Sequence, residues 1–165
     1  MNELESMATA VGEALKARGE TVIVAESACG GLISAALLAV PGASAYYRGG
    51  LVLYTYEARS KFLSRDGKNP LEGAQSGSED YAAAMARAAR ATLNPTWAIG
   101  EVGTAGPTGS RYGYSPGHAC VAVDGPVARA VTIETRQADR ETNMRVFARA
   151  ALDLLAAALR EAPRA

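Results

Sequence analysis

Apolar residues along this chain change period several times, and each change marks an element. Leu4, Met7, Val11 and Leu15 recur on one helical face with Ala8 and Ala14 beside them, and Gly19 ends that helix after Arg18. Thr21–Ala25 is short, β-branched and apolar, the pattern of a buried strand. Leu32–Leu38 follows as a helix that stops at Pro41-Gly42. An aromatic, glycine-rich connector over 43–50 leads to Leu51–Tyr54, a second buried strand, and then to a short helix over Glu57–Leu63. Residues 64–77 carry Asp66-Gly67 and Asn69-Pro70 and form a loop long enough to be a flap or insertion. Ser76 and Glu79 have capping-box spacing, with Ser78 as the alternative cap, ahead of an alanine-rich helix that Asn94-Pro95 ends. Its small residues, Ala82 to Ala89, suit close packing against a neighbour. Thr96–Val102 predicts a third strand and Ala119–Val123 a fourth. Asp124-Gly125 then turns the chain into a fifth, on which Val127, Val131 and Ile133 alternate. Asp139 caps a last helix striped by Met144, Phe147, Ala151, Leu154 or Leu155, and Ala158.

Strand and helix alternate in the first half, which implies parallel pairing, and the second half holds one hairpin. The expected fold is α/β: a three-layer α/β/α sandwich around a mixed, mostly parallel sheet of about five strands, forming one domain over residues 1–165.

Composition narrows the function. Seventeen basic residues balance seventeen acidic ones, and no basic run supplies a nucleic-acid footprint. No apolar run is long enough for a membrane span, and the acidic start argues against a signal peptide, so a cytoplasmic location is expected. Cys29 and Cys120 offer neither zinc spacing nor a disulfide framework. His118, the only histidine, heads a strand, where a polar strand-end role is expected.

Two stretches carry candidate chemistry. Glu26-Ser27-Ala28-Cys29-Gly30-Gly31 joins the carboxyl end of a strand to the start of a helix, where open α/β sheets bind ligands. Helix-start N–H groups favour anions or a developing oxyanion, and Gly30 and Gly31 permit close approach. Ser27 is then a possible nucleophile, although this stretch alone favours a helix cap with the glycines simply making the turn. Glu26 suits support of the turn by accepting backbone hydrogen bonds. Gly103–Gly109 is a second glycine-rich turn, suited to a phosphate or to a purely structural loop. It lacks the lysine and spacing of a P-loop.

The motifs resemble those of the CinA C-terminal domain family (competence/damage-inducible proteins). A-E-S-A-C-G-G-L at 25–32 is similar to the family's A-E-S-C-T-G-G-L, and P-G-A-S-A-Y-Y-R-G-G at 41–50 to its P-G-(S/A)-S-x-(Y/F)-F-x-G-G. Tyr54 matches the tyrosine beyond that glycine pair. G-T-A-G-P-T-G at 103–109 resembles T-G-x-A-G-P-x-G, Met85-Ala86 with Ser78 fit S-x-x-x-A-x-x-M-A, and D-R-x-x-x-x-R at 139–145 looks like G-D-R-x-x-x-R. The blocks come in family order over nearly the whole chain. The resemblance implies the stand-alone form of the domain, without an amino-terminal molybdopterin-binding-type domain. For active members it implies hydrolysis of the carboxamide of nicotinamide mononucleotide to nicotinate mononucleotide and ammonia, with no metal or other cofactor. By that pattern Ser27 attacks the amide carbon and a lysine or Tyr54 serves as base. Gly30, Gly31, Thr104, Ala105, Gly106, Thr108 and Gly109 bind substrate, and Arg140 or Arg145 pairs with phosphate or sits on a solvated helix face. A small-molecule nucleotide is the implied partner and a homo-oligomer the implied assembly.

Departures from the family pattern cluster at the same place. The lysine five residues after the tyrosine is Arg59 here, a poor base but a possible substrate-binding group, with Lys61 two residues on as the candidate relocated base. Cys29 replaces a threonine, Ala28 a cysteine and Val102 a threonine, while Tyr112 and Tyr114 enlarge the second loop. Two readings follow: an amidohydrolase with Ser27 as nucleophile, or a catalytically weak or inactive nucleotide-binding relative. A thiol enzyme built on Cys29 is a third, against which a buried structural cysteine is the simpler alternative.

Overall fold

The computed structural model describes residues 2–164. Its elements are α1 (Glu3–Arg18), β1 (Val22–Glu26), α2 (Leu32–Leu38), a 3-10 turn at Ala43–Ala45, β2 (Tyr47–Val52), α3 (Tyr56–Leu63), α4 (Glu79–Leu93), β3 (Trp97–Thr104), β4 (His118–Asp124), β5 (Arg129–Glu134) and α5 (Arg140–Glu161). The sheet has the order β2-β1-β3-β4-β5. β1 pairs in parallel with β2 and β3, while β3–β4 and β4–β5 are antiparallel, so only β4 runs against the rest. The fold is therefore the expected α/β/α sandwich around a mixed sheet.

The two faces of the central strands feed two cores. Val22 and Val24 of β1, with Trp97 and Ile99 of β3, face α1, α2 and α5 and bury Phe147, Leu152 and Leu155. Ile23, Ala25 and Ala98 face α4, whose Ala82, Met85, Ala86 and Ala89 lie flat on the sheet. The small-residue face of α4 thus meets its neighbour inside the chain. A Cβ at Gly100 would come within 2.2 Å of the Ala82 carbonyl oxygen, so glycine sets the closeness of that contact.

Three local expectations shift. The second strand is Tyr47–Val52 rather than Leu51–Tyr54, and it is a half-exposed edge, not a buried strand. The glycine pair and the tyrosines that read as a connector alternate in and out along it, which is sufficient at an edge. Ser78, not Ser76, caps α4: its hydroxyl accepts from the Tyr81 N–H. The 64–77 segment is packed through Leu71, which is fully buried in the α4-side core.

Candidate active site

The chain leaves β1 for β2 on one side of it and then crosses back to β3 on the other. The crevice beyond the carboxyl ends of β1 and β3 is therefore a topological switch point. Two adjoining clefts open there. One, of about 200 Å³, is lined by Ser27, Arg59, Arg111 and the tyrosines 54, 56, 112 and 114. The other, of about 180 Å³, is lined by Ala28, Tyr54, Thr104, Ala105, Gly106, Thr108, Gly109 and Arg140. Tyr54, Gly103, Thr104 and Ser110 belong to both. Ser27, Tyr54, Arg59, the glycine-rich loop apart from Pro107, and Arg140 are thus brought together. A larger hollow of about 400 Å³ between α1 and α5 contains none of these groups.

Two buried carboxyl groups build the Ser27 turn. Glu26 Oε1 accepts from the N–H groups of Gly31 (3.2 Å) and Ile33 (3.0 Å), and Oε2 from Ser34 (2.8 Å). Glu101 Oε2 accepts from the N–H groups of Ser27 (2.8 Å) and Cys29 (3.0 Å). Gly30 and Leu32 donate to carbonyls within the turn. Of the N–H groups from Ser27 to Ser34, only that of Ala28 has no acceptor among the described residues. This corrects the expectation that the start of α2 and the glycine pair receive an anion. Gly30 and Gly31 line neither cleft; with φ of +63° and +99° they make the turn itself.

Burial pushes the Glu101 carboxyl up to about 7, against the pull of its two backbone donors. Its Oε1 is sealed and without a partner. The sequence signal for Glu101 is a lone acid in an otherwise apolar strand directly before a glycine-rich turn, a pattern that by itself does not assign it to the site. Cys29 is fully buried against the same carboxyl. Burial first, then Glu101 and Glu26, push its thiol well up, which removes the thiol-enzyme reading.

Lys61 is not the relocated base. It is exposed on α3 and lines neither cleft, because two residues along a helix is about 200° of rotation. Arg59 points inward instead. Its Nη1 donates to Ser27 Oγ (3.0 Å), to the Tyr54 carbonyl (2.9 Å) and to the Leu53 carbonyl (3.3 Å), and its Nε donates to the Tyr81 hydroxyl (2.8 Å). Tyr81, which no motif marks, is thus the second support of Arg59. Burial raises its hydroxyl more than the arginine lowers it.

Arg140 donates to the Gly106 carbonyl and, at 2.9 Å, to the Tyr54 hydroxyl, tying the glycine-rich loop to the strand-end tyrosine. Arg145 pairs with Glu141 one turn along α5 and lines neither cleft, so the phosphate role expected of either arginine is open only to Arg140. Asn143 holds the loop from behind, donating to the Ala105 carbonyl at 2.8 Å. His118 supports the opposite wall: its ring bonds Glu134 and the Gly77 carbonyl, and Tyr114 stacks on it at 3.9 Å. Among the described residues no group of His, Cys, Asp or Glu is arranged to hold a metal ion, and no helix is long and apolar enough to cross a membrane.

The family model of the CinA C-terminal domain matches residues 4–159. A CinA-like protein of Gloeobacter violaceus is 37% identical over 154 residues, covering 92% of this chain and 36% of that protein. One from Anaeromyxobacter sp. (strain Fw109-5) is 38% identical over 157 residues, covering 94% and 38%. The chain therefore spans little more than a third of the length of these curated relatives. Among solved structures, competence damage-inducible protein A of Klebsiella pneumoniae superposes with a TM-score of 0.87 at 29% identity, covering 97% of this chain and 99% of that one. The competence/damage inducible protein CihA of Agrobacterium tumefaciens gives 0.87 at 27%, covering 98% of each. With the Ser27 turn, Tyr54 and the A-G-P-T-G loop meeting at one cleft, this chain belongs to the CinA C-terminal domain family.

Proposed function

We propose that the paired clefts bind a pyridine mononucleotide, with the ring substituent against Ser27 and the phosphate on the glycine-rich loop, and that amide hydrolysis there is weak or silent. The observation that carries this reading is the 3.0 Å hydrogen bond from Arg59 to Ser27 Oγ. A serine nucleophile must lose its proton as it attacks the amide carbon. Arginine stays protonated at any ordinary pH, so Arg59 fills the base position with a donor. Nucleotide binding is supported by the second cleft. The N–H groups of Gly106, Thr108 and Gly109 have no acceptor among the described residues, and Arg140 lies beside them. The tyrosines of the first cleft suit an aromatic ring.

Restoring the base tests the proposal. Arg59→Lys is expected to raise ammonia release from nicotinamide mononucleotide about 100-fold or more, and Arg59→Lys with Ser27→Ala to return it to background. Wild type as fast as Arg59→Lys overturns the weak-hydrolysis reading.

One observation favours the second reading, a working amidohydrolase. The free Ala28 N–H follows the nucleophile directly and suits an oxyanion. In that reading Ser27 Oγ bonds to the carboxamide carbon, the C–N bond breaks as ammonia leaves, and water then releases the carboxylate. Wild-type turnover abolished by Ser27→Ala alone supports it.

A further inference from the structure

Arg59 is a buried cation without a counter-ion. It is 5% exposed, and every hydrogen bond it makes goes to a neutral oxygen: a serine hydroxyl, a tyrosine hydroxyl and two backbone carbonyls. The half-buried Arg18, by contrast, is paired conventionally with Glu20 at 2.9 Å. Glu101, behind the Ser27 turn, makes no hydrogen bond or ion pair with Arg59. One of its oxygens is held by backbone N–H groups and the other is sealed. Arg59 Nη2 has no protein partner and is not among the sealed atoms, while the side chain lines the cleft. No Asp or Glu lines either cleft, whereas Arg59, Arg111 and Arg140 do, on a chain whose formal net charge is zero. Burying an unpaired charge is costly, and a low-dielectric cleft focuses the field of the charges that line it. The site therefore holds one buried, unpaired positive charge beside Ser27 and a second, exposed one, Arg140, at the glycine-rich loop.

Building on the nucleotide-binding reading, we propose that the preferred ligand is a pyridine mononucleotide bearing a ring carboxylate in place of the carboxamide. The carboxylate sits on Arg59 next to Ser27, and the phosphate sits on Arg140 and the loop N–H groups. A carboxylate accepts from a guanidinium with charge assistance. A carboxamide in the same place turns its NH₂ group or its weaker carbonyl acceptor toward a fixed cation. The substitution of arginine at the base position then changes what the site selects as well as slowing what it does.

The experiment is calorimetric titration of wild type, Arg59→Gln and Arg140→Gln with nicotinate mononucleotide and with nicotinamide mononucleotide. Wild type is expected to bind the acid at least about tenfold more tightly than the amide. Arg59→Gln is expected to erase that ratio chiefly by weakening the acid. Arg140→Gln weakens both ligands alike and leaves the ratio intact. Equal affinities in wild type, or tighter binding of the amide, overturn the carboxylate assignment and leave nucleotide binding standing. That result is also the one expected if the phosphate were on Arg59. Binding of neither nucleotide overturns both readings. If Arg59→Gln does not fold, the wild-type and Arg140→Gln ratios decide the question.

Discussion

Two glycine-bearing turns leave adjacent parallel strands at one end of the sheet, and they use their backbones in opposite ways. In the Glu26–Gly31 turn nearly every N–H is satisfied by Glu26, Glu101 or a nearby carbonyl, leaving the one at Ala28 open. In the Gly103–Gly109 loop the N–H groups of Gly106, Thr108 and Gly109 are unclaimed, and the support comes from outside the turn, through Asn143 and Arg140. Both turns look alike as sequence: a strand, small residues, glycines. The difference lies in whether a buried carboxylate reaches the donors first. A turn with its own internal acceptors holds a side chain rigidly; a turn without them keeps its donors open to water or to a ligand.

Removing Glu26 breaks the first turn most severely. Glu26→Ala leaves the N–H groups of Gly31, Ile33 and Ser34 without acceptors, and a loss of about 3 kcal/mol or more is expected in urea denaturation. Binding at the second turn is lost only as far as the fold is lost.

Glu101 gives the next largest effect, and it depends on pH. Its folded-state value of about 7 lies above the ordinary 4.5, so the folded chain binds the proton more tightly than the unfolded one. That stabilisation is complete below about pH 4.5 and declines as pH rises toward 7 and beyond. Glu101→Gln keeps an acceptor for Ser27 and Cys29 and cannot ionise. It is expected to flatten the pH dependence of stability between 4.5 and 8, and to exceed wild type by about 3 kcal/mol at pH 8. A wild-type stability that rises over that interval contradicts the assignment.

Smaller effects sharpen the role of the second turn. Arg140→Gln is expected to lower mononucleotide affinity about tenfold in calorimetry with little change in melting temperature, since Arg140 is exposed. Thr108→Ala, which removes a hydroxyl from the same cleft and leaves the backbone intact, is expected to cost no more than about threefold.

Much of this arrangement was legible in the sequence because it is local. Periodicity gave the five helices, and turn chemistry gave the two loops at the strand ends. Motif likeness brought Ser27, Tyr54, Thr104–Gly109 and Arg140 to one place. Glu26 read correctly as support for its own turn, being within eight residues of every donor it serves. The misreadings share a different cause. Lys61 and Arg145 carry the right chemistry on the wrong side of a helix. The sequence gives both residue types but not which one the tertiary packing turns inward. The edge strand at Tyr47–Val52 was displaced because a half-exposed edge imposes a weak pattern.

Tyr81 and the His118–Tyr114 stack have no local signature, and the one that Glu101 has does not name its partners. Glu101 meets the Ser27 N–H across 74 residues of chain, through the pairing of β1 with β3, and Tyr81 meets Arg59 across 22 through the packing of α3 on α4. Local patterning thus determines which elements form and where the chain turns, because hydrophobic period and backbone conformation depend on near neighbours. Which carboxylate silences a turn, which cation meets the serine and which charge is left without a partner depend on burial and on contacts between distant segments. Those are settled only when the sheet and its helices close over them.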